Sequence, residues 1–462
     1  MLARASGQVV ALVVTLFAVR HLTPSDFGIY AIAAAIVTII RTLFYSATFQ
    51  YLMQTSELRK YSSECLAFNI MTGIALSVVP GAALFMFPNL FGSPGIVFLF
   101  AVMAPSNFIS AVTAWAEAQV LRDGTSSKYY AITALVEIVG GLVAIALLAM
   151  DFGIIALVPM VYIRPIFLLI GYACLKVPVL SDRLNWHRFV EITRWTIPQY
   201  VSSFASLFSN YGADFIIGTI LNPAATGIYR AASRISSAVS DLSAQPVRLT
   251  ATTIFARRIA AGRTATDMWP KVVALSLFIS LPALGGLAAV ADLVLPNMFG
   301  PAWAHLALVV TVLSIGRIFA SAAGVATPFL VAHGRHKTLL PVQIVSAACL
   351  LLGLLMFARF GVQATAIVTA VSTMVGAVIY VTMAYRLADA DAASSLRLIT
   401  LAALPGLVST VVAAAICRSD LLLDPNWLAG VAVVAAVVAW TGTVFVLRRA
   451  LAPLLHPLRE ER

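Results

Sequence analysis

The chain has 462 residues, of which 61% are apolar and only 11% charged. Soluble domains run at about 45–50% apolar and about 25% charged. A soluble protein of this make-up would turn large apolar patches to water, and too little of the chain is polar to leave it disordered. Thirty Lys and Arg against nineteen Asp and Glu leave a net charge of +11. On so apolar a chain that excess marks loops on one side of a membrane rather than a nucleic-acid surface.

A membrane-spanning helix takes about 20 mostly apolar residues. Fourteen such runs follow one another, at 4–20, 27–49, 64–87, 95–121, 129–149, 153–175, 195–221, 226–247, 272–291, 305–332, 339–358, 361–385, 398–417 and 427–447. Turn chemistry separates them, as at Pro88-Asn89, Arg122-Asp123-Gly124, Asp151-Phe152-Gly153 and Pro296-Asn297. The first run has the look of a signal peptide behind Arg4, but no small-x-small cleavage site follows before Arg20. With the N-terminus cytoplasmic, inside segments hold 22 of the 30 basic residues, outside loops hold Arg20, Arg359 and Arg418, and five lie within spans. So uneven a division places both termini inside. Cys65, Cys174, Cys349 and Cys417 are scattered, with no paired spacing for a disulfide framework or a zinc site.

Leu22-Thr-Pro24-Ser-Asp-Phe-Gly28-Ile29-Tyr30 returns as Leu221-Asn-Pro223-Ala-Ala-Thr-Gly227-Ile228-Tyr229, at an offset of 199 residues. The shared pattern reads as a tight external turn, a stiffening Pro and a Gly that opens the next helix. It lies between runs 1 and 2 and again between runs 7 and 8. An even number of spans separates the copies, so the halves are parallel repeats, a transporter architecture with the substrate site between the lobes. The expected organisation is an all-α integral membrane protein of about 14 transmembrane helices, with an N-lobe over 1–194, a C-lobe over 195–397 and two further spans with a cytoplasmic tail over 398–462. The offset sets the start of run 7, at Trp195, opposite a position just before Met1, so the first span reads as shortened or the start codon as placed late.

The opening ARASGQVVALVVTLFAVRHLTPSDFGIYAIA, the segment RFVEITRWTIPQYVSSFASLFSNYGADFIIG and NPAATGIYRAASRI resemble the Wzx-type polysaccharide exporters. Those belong to the multidrug/oligosaccharidyl-lipid/polysaccharide (MOP) superfamily. The resemblance covers runs 1–12 in layout, is sharpest over 16–31 and 189–248, and is weak over 386–462. It implies two six-helix lobes around a central cavity that opens alternately inward and outward. It also implies a polyprenyl-pyrophosphate-linked oligosaccharide as cargo, other enzymes of the same polysaccharide pathway as partners, and the bacterial inner membrane as location. Typical members begin with more residues ahead of the first span.

Ionisable groups within spans cost about 2.5–3.5 kcal/mol each at the helix centre, so each needs a reason. Arg230, Arg234, Ser237 and Asp241 share one face of run 8; Ser203, Ser206, Asn210 and Asp214 share one face of run 7. Counting back from Asn222 and on from Thr226 puts Asp214 and Arg234 at the same depth, roughly 12 Å from the turn, which predicts an Asp214–Arg234 pair. Two accounts stay open: a structural ion pair, or a polar seam from which Arg230 reaches anionic cargo. Arg41, Arg164 and Arg317 lie near the middles of runs 2, 6 and 10, with no acidic residue nearby on their own helices. The planar fork of Arg suits phosphate oxygens, and the resemblance makes Arg41 a cavity-lining position. Arg164 and Arg317 serve equally as partners of groups on other helices. Glu117 and Glu137, with Asp214 and Asp241, are candidates for ion coupling or for pairing with such arginines.

His333-Gly334-Arg335-His336-Lys337 reads as solvated inside-loop charge rather than a metal site. Pro105, Pro165, Pro198, Pro246, Pro282 and Pro328 suit bent helices, as kinks for packing or as hinges. No phosphate-binding G-x-x-x-x-G-K-[ST] loop and no metal motif is present, so no cofactor is expected. Outside acids (Asp26, Asp151, Asp292, Asp420, Asp424) stand singly, which disfavours a membrane glycosyltransferase or polysaccharide polymerase. A drug exporter of the same superfamily is the nearer alternative, but a cationic cargo would want an acidic cavity.

Overall fold

In the computed structural model the chain is all-helical. The structure describes residues 2–46, 48–55, 57–87, 93–122, 126–175, 180, 184–262, 265–335, 338–388, 391–419 and 424–455. The segments Pro88-Asn89 and Asp123-Gly124 lie outside the described residues, as do His336 and Lys337.

Two compact units divide the chain, Met1–Arg230 and Ala231–Arg462. The first contains α1 (Leu2–His21), α2 (Pro24–Ser46), α3 (Thr48–Gln54), α4 (Leu58–Met86), α5 (Gly95–Met103), α6 (Ser106–Arg122), α7 (Ser126–Ala149), α8 (Val158–Cys174) and α9 (Trp186–Ile220). The long helix α10 (Pro223–Ala260) starts in the first unit and continues into the second. There it is followed by α11 (Trp269–Phe299), α12 (Leu306–Ala332), α13 (Leu339–Phe357), α14 (Val362–Ala388), α15 (Ala392–Cys417), α16 (Pro425–Val446) and α17 (Arg448–Leu455).

Every apolar run of the sequence falls on helix, for a simple reason: inside a bilayer only a helix satisfies each backbone N–H and C=O within its own segment. Among the described residues eleven helical stretches are long and apolar enough to cross a membrane. Runs 1, 7 and 8 are not among them. The apolar part of α1, Gly7–His21, is short. Helices α9 and α10, with 35 and 38 residues, are long enough but interrupted by Ser203, Ser206, Asp214, Arg230, Arg234 and Asp241. Such helices are tolerated in a membrane where they face protein or water rather than lipid.

The turn at Asp151–Gly153 lies where the sequence puts it, with both end residues in the left-handed region (φ 58° and 61°). The break expected at Pro296-Asn297 does not form. Helix α11 runs on to Phe299 and ends at Gly300, φ 80°, whose N–H donates to the Pro296 carbonyl. A Pro near a helix end removes one donor but leaves its own carbonyl usable, so it ends nothing by itself.

Among the described residues the first unit packs around two cores. One joins Ile32, Val37, Ile40 and Phe44 of α2 to Ile96, Leu99 and Phe100 of α5, Ala111 of α6 and Val161 of α8. The other joins Leu52 of α3, Cys65 and Phe68 of α4, Trp115 of α6, Tyr172 of α8 and Ile192 of α9. In the second unit Phe255, Trp269, Val273, Phe329 and Ala384 form the core of α10, α11, α12 and α14. Helix–helix association inside lipid draws on close van der Waals packing, for which small residues let backbones approach. Gly316 of α12 is such a point: a methyl there would stand 2.9 Å from the Ala370 Cα and 3.1 Å from its Cβ on α14. Gly316→Ala is expected to destabilise the protein by about 1–3 kcal/mol, read as a lower thermal unfolding midpoint in detergent; an unchanged midpoint would show that α12 and α14 separate freely.

Candidate functional site

The first unit gathers charge from four helices in its interior. Arg41 of α2 donates through Nη2 to the Val161 carbonyl at 3.3 Å and to Ser106 Oγ at 3.5 Å, while its buried Nε has no hydrogen-bond partner. Both bonds are long, so the guanidinium is under-bonded for a buried cation. Arg164 of α8 meets Glu137 of α7, Nη1 to Oε1 at 3.2 Å, with the Arg164 side chain 49% exposed and that of Glu137 20%. Glu117 of α6 is buried and takes two phenol hydrogen bonds, from Tyr129 Oη to Oε1 at 2.6 Å and from Tyr45 Oη to Oε2 at 2.8 Å. The Arg41 and Arg164 cations are near enough to repel each other, and Glu137 offsets both. Two arginines and two carboxyl groups thus lie in this unit, and Arg41 keeps unused donor capacity.

At the top of α9 and α10 Asp214 has a partner that the depth count did not assign. Asp214 Oδ2 accepts from Arg230 Nη1 at 3.0 Å, one helical turn nearer the connecting turn than Arg234. The depth count started α10 at Thr226, but the helix begins at Pro223, which moves Arg230 level with Asp214. The Arg230 guanidinium also lies 4.7 Å from the Tyr211 ring centroid, and the pair is secluded, with Asp214 1% and Arg230 13% exposed. Asn210 sits within α9, but its side chain is outside the described residues.

In the second unit Arg317 of α12 crosses to α10. Its Nε donates to Ser236 Oγ at 3.2 Å, and its Nη2 reaches Ser233 Oγ and carbonyl at 3.4 and 3.5 Å. Asp241 feels the charges of Arg317 and Arg248. Arg248 reads from the sequence as loop charge, yet α10 continues to Ala260. Arg234, Asp241 and Arg248 therefore recur every seven residues, two turns apart on one face. The signal was available, since Pro246 does not stop a helix that meets no Gly before Gly262.

A further polar group at the start of α9 went unpredicted. Glu64 of α4, fully buried, accepts from the Asn185 N–H at 2.9 Å and from Arg188 Nη1 at 3.4 Å. Glu191 accepts from Tyr61 Oη at 3.0 Å and Tyr51 Oη at 3.4 Å. His333 of the basic loop turns its Nδ1 to the Phe329 carbonyl at 2.9 Å, a local helix-end contact. Among the described residues no group of His, Cys, Asp and Glu could hold a metal ion.

Residues 17–308 match the model of a family described as polysaccharide biosynthesis protein. The chain belongs to that family. Its fold is similar to that of the lipid II flippase MurJ in an inward closed conformation, with a TM-score of 0.81 at 12% identity over 98% of this chain and 99% of that one. It is also similar to an inward-facing multidrug-resistance MATE family transporter of the MOP superfamily, TM-score 0.61 at 12% identity over 83% and 94%. A Vibrio cholerae MATE transporter gives 0.54 at 14% identity over 84% and 94%. No functionally curated protein matches the chain by sequence. The family is thus one of polysaccharide biosynthesis, and the fold is of the kind seen in the MurJ and MATE structures.

For this family member the Asp214–Arg230 pair is open to a direct test. Asp214→Asn leaves a buried guanidinium without its counter-charge and is expected to cost about 3–5 kcal/mol of stability. The double variant Asp214→Leu/Arg230→Met is expected to lose much less. Thermal unfolding of the three proteins in detergent checks this, and equal losses for the single and double variants would refute it.

Proposed function

We propose that the protein is a flippase that carries an undecaprenyl-pyrophosphate-linked oligosaccharide from the cytoplasmic to the outer leaflet of the bacterial inner membrane. In this reading fourteen helices cross the bilayer, both termini are cytoplasmic, and two six-helix lobes alternate between inward and outward opening. The family match and the fold likeness support a transporter in polysaccharide biosynthesis. The observation that carries the anionic cargo is Arg41. A guanidinium in the middle of a spanning helix with a buried, unpartnered Nε is poorly satisfied by the protein alone, and a phosphate is the acceptor that suits its fork.

Arg164 is the second contact, since half of its side chain stays accessible beside Glu137. Arg234, Arg317 and Asn210 stay, from the sequence, as further candidate contacts for the cargo, and Asp241 sets the charge around Arg317. Arg230 is committed to Asp214 and Tyr211, so its part is to hold the α9–α10 turn rather than to grip cargo. Glu117 and Glu137 remain the coupling candidates of the first unit. A drug exporter for cations is the weaker reading, because these carboxylates are already answered by Tyr45, Tyr129 and Arg164. Polymerase and glycosyltransferases of the same pathway are the natural partners.

Deleting the gene in a strain without a redundant exporter is expected to accumulate lipid-linked repeat units and to abolish the surface polymer. Mass spectrometry of polyprenyl lipids with a parallel polysaccharide assay reads both; unchanged lipids and polymer would sink the reading. Arg41→Ala should abolish export from a folded, membrane-inserted protein, and Arg41→Lys should restore only part of it, since the charge returns without the fork.

A further inference from the structure

Two prolines interrupt the first unit where Arg41 stands. Pro165 is buried within α8, and Pro105 separates α5 from α6. A Pro has no N–H, so the carbonyl four residues before it loses its helical donor. For Pro165 that carbonyl belongs to Val161, itself buried. Within a membrane such a group has no water to turn to and must find a donor in the protein.

Each break is answered from another helix. Tyr162 Oη of α8 donates to the Val102 carbonyl in the last turn of α5. Thr113 Oγ1 of α6 donates to the Pro165 carbonyl at 3.0 Å. The Val161 carbonyl takes Arg41 Nη2 at 3.3 Å, and the same nitrogen reaches Ser106 Oγ, beside Pro105, at 3.5 Å. Arg41 thus touches both proline breaks. The need is mutual, since the ion pairs among the described residues leave Arg41 out. Arg164, next to Pro165 in the chain, repels it.

We propose that Pro165 is a positioning residue for the cargo: by freeing the Val161 carbonyl it fixes where Arg41 presents its guanidinium to the pyrophosphate. The proposal rests on the flippase reading above. In an unbroken α8 the N–H of residue 165 would occupy that carbonyl. Arg41, pushed by Arg164, would then keep only Ser106 as a hold. With Nη2 spent on the anchor, the Nε of Arg41 is a donor left over. A planar fork gains from contact with phosphate only when it is aimed, and a fixed acceptor behind it supplies the aim. The anchoring bonds are long, so they set direction without competing strongly with an anion. A proline that merely bends α8 for packing predicts the opposite pattern, in which its loss weakens folding and leaves anion binding alone.

The test measures binding of farnesyl pyrophosphate to the full-length protein in detergent by titration calorimetry. Pro165→Ala is expected to weaken binding about tenfold, the loss on misplacing one charged donor. Its thermal unfolding midpoint is expected to hold or rise, because α8 gains a hydrogen bond. Pro165→Ser brings the same N–H while tending to keep a bend, and serves where the Ala variant does not fold. Arg41→Met/Pro165→Ala is expected to bind no more weakly than Arg41→Met alone, since both changes remove one aimed guanidinium. Unchanged affinity in a folded Pro165 variant, or losses that add in the double variant, overturns the proposal.

A second arm needs no ligand. Against native Arg41, the N–H that Pro165→Ala introduces has to displace the guanidinium from the Val161 carbonyl; against Arg41→Met it does not. The unfolding midpoint is therefore expected to rise further in the Arg41→Met background. Equal shifts in the two backgrounds would show that the carbonyl does not hold Arg41. Should the native protein fail to bind farnesyl pyrophosphate, the cargo reading fails while this arm still decides the anchor.

Discussion

A charge that cannot reach water has to be answered by another part of the protein or by whatever the protein carries, and this constraint orders the structure. In the first unit it is met three ways. Asp214 and Arg230 answer each other at 3.0 Å within one hairpin. Glu117 is answered by two phenols rather than by a cation in contact. Arg164 is shared with Glu137 across α7 and α8. Arg41 is the exception, with two long hydrogen bonds and a bare Nε. The contrast has meaning because the neighbouring charges are so fully matched.

The helices that hold these groups are themselves unusual. Eleven stretches could stand against lipid on composition alone, whereas α9 and α10 could not. A polar helix within an apolar bundle belongs where protein or water surrounds it. The serines of α10 illustrate the point, since Ser233 and Ser236 meet Arg317 of α12. Helix α10, 38 residues long, belongs partly to each compact unit. Near one end its Gly227 lies against Pro24 of α2, and beyond Arg230 its face carries Arg234, Asp241 and Arg248.

Much of this is legible in the residues themselves. Runs of about 20 apolar residues and the bilayer's demand for internal backbone hydrogen bonds leave helices as the solution. The duplicated motif and the resemblance it carries led to the family that the residues at 17–308 match. The intramembrane arginines could be marked one by one, because charge in an apolar run stands out. Where sequence reasoning went astray, small errors of register were the cause. Three residues at the start of α10 hid Arg230 as a partner of Asp214, and an assumed end near Val247 hid Arg248.

The sequence by itself determined the all-helical membrane architecture, the family, and which charges lie at depth, since all of these follow from local composition and spacing. Only the tertiary structure decided what each charge faces: that Glu117 sits between tyrosines of α2 and α7, that Arg317 leans on serines of α10, and that Glu64 closes on Arg188. It also decided that the two glycines of the repeat lie against one another instead of opening their helices, which begin at Pro24 and Pro223. Such pairings join residues tens to well over a hundred positions apart. They depend on helix rotation and on sub-helical-turn differences in depth, which no periodicity within a single segment encodes.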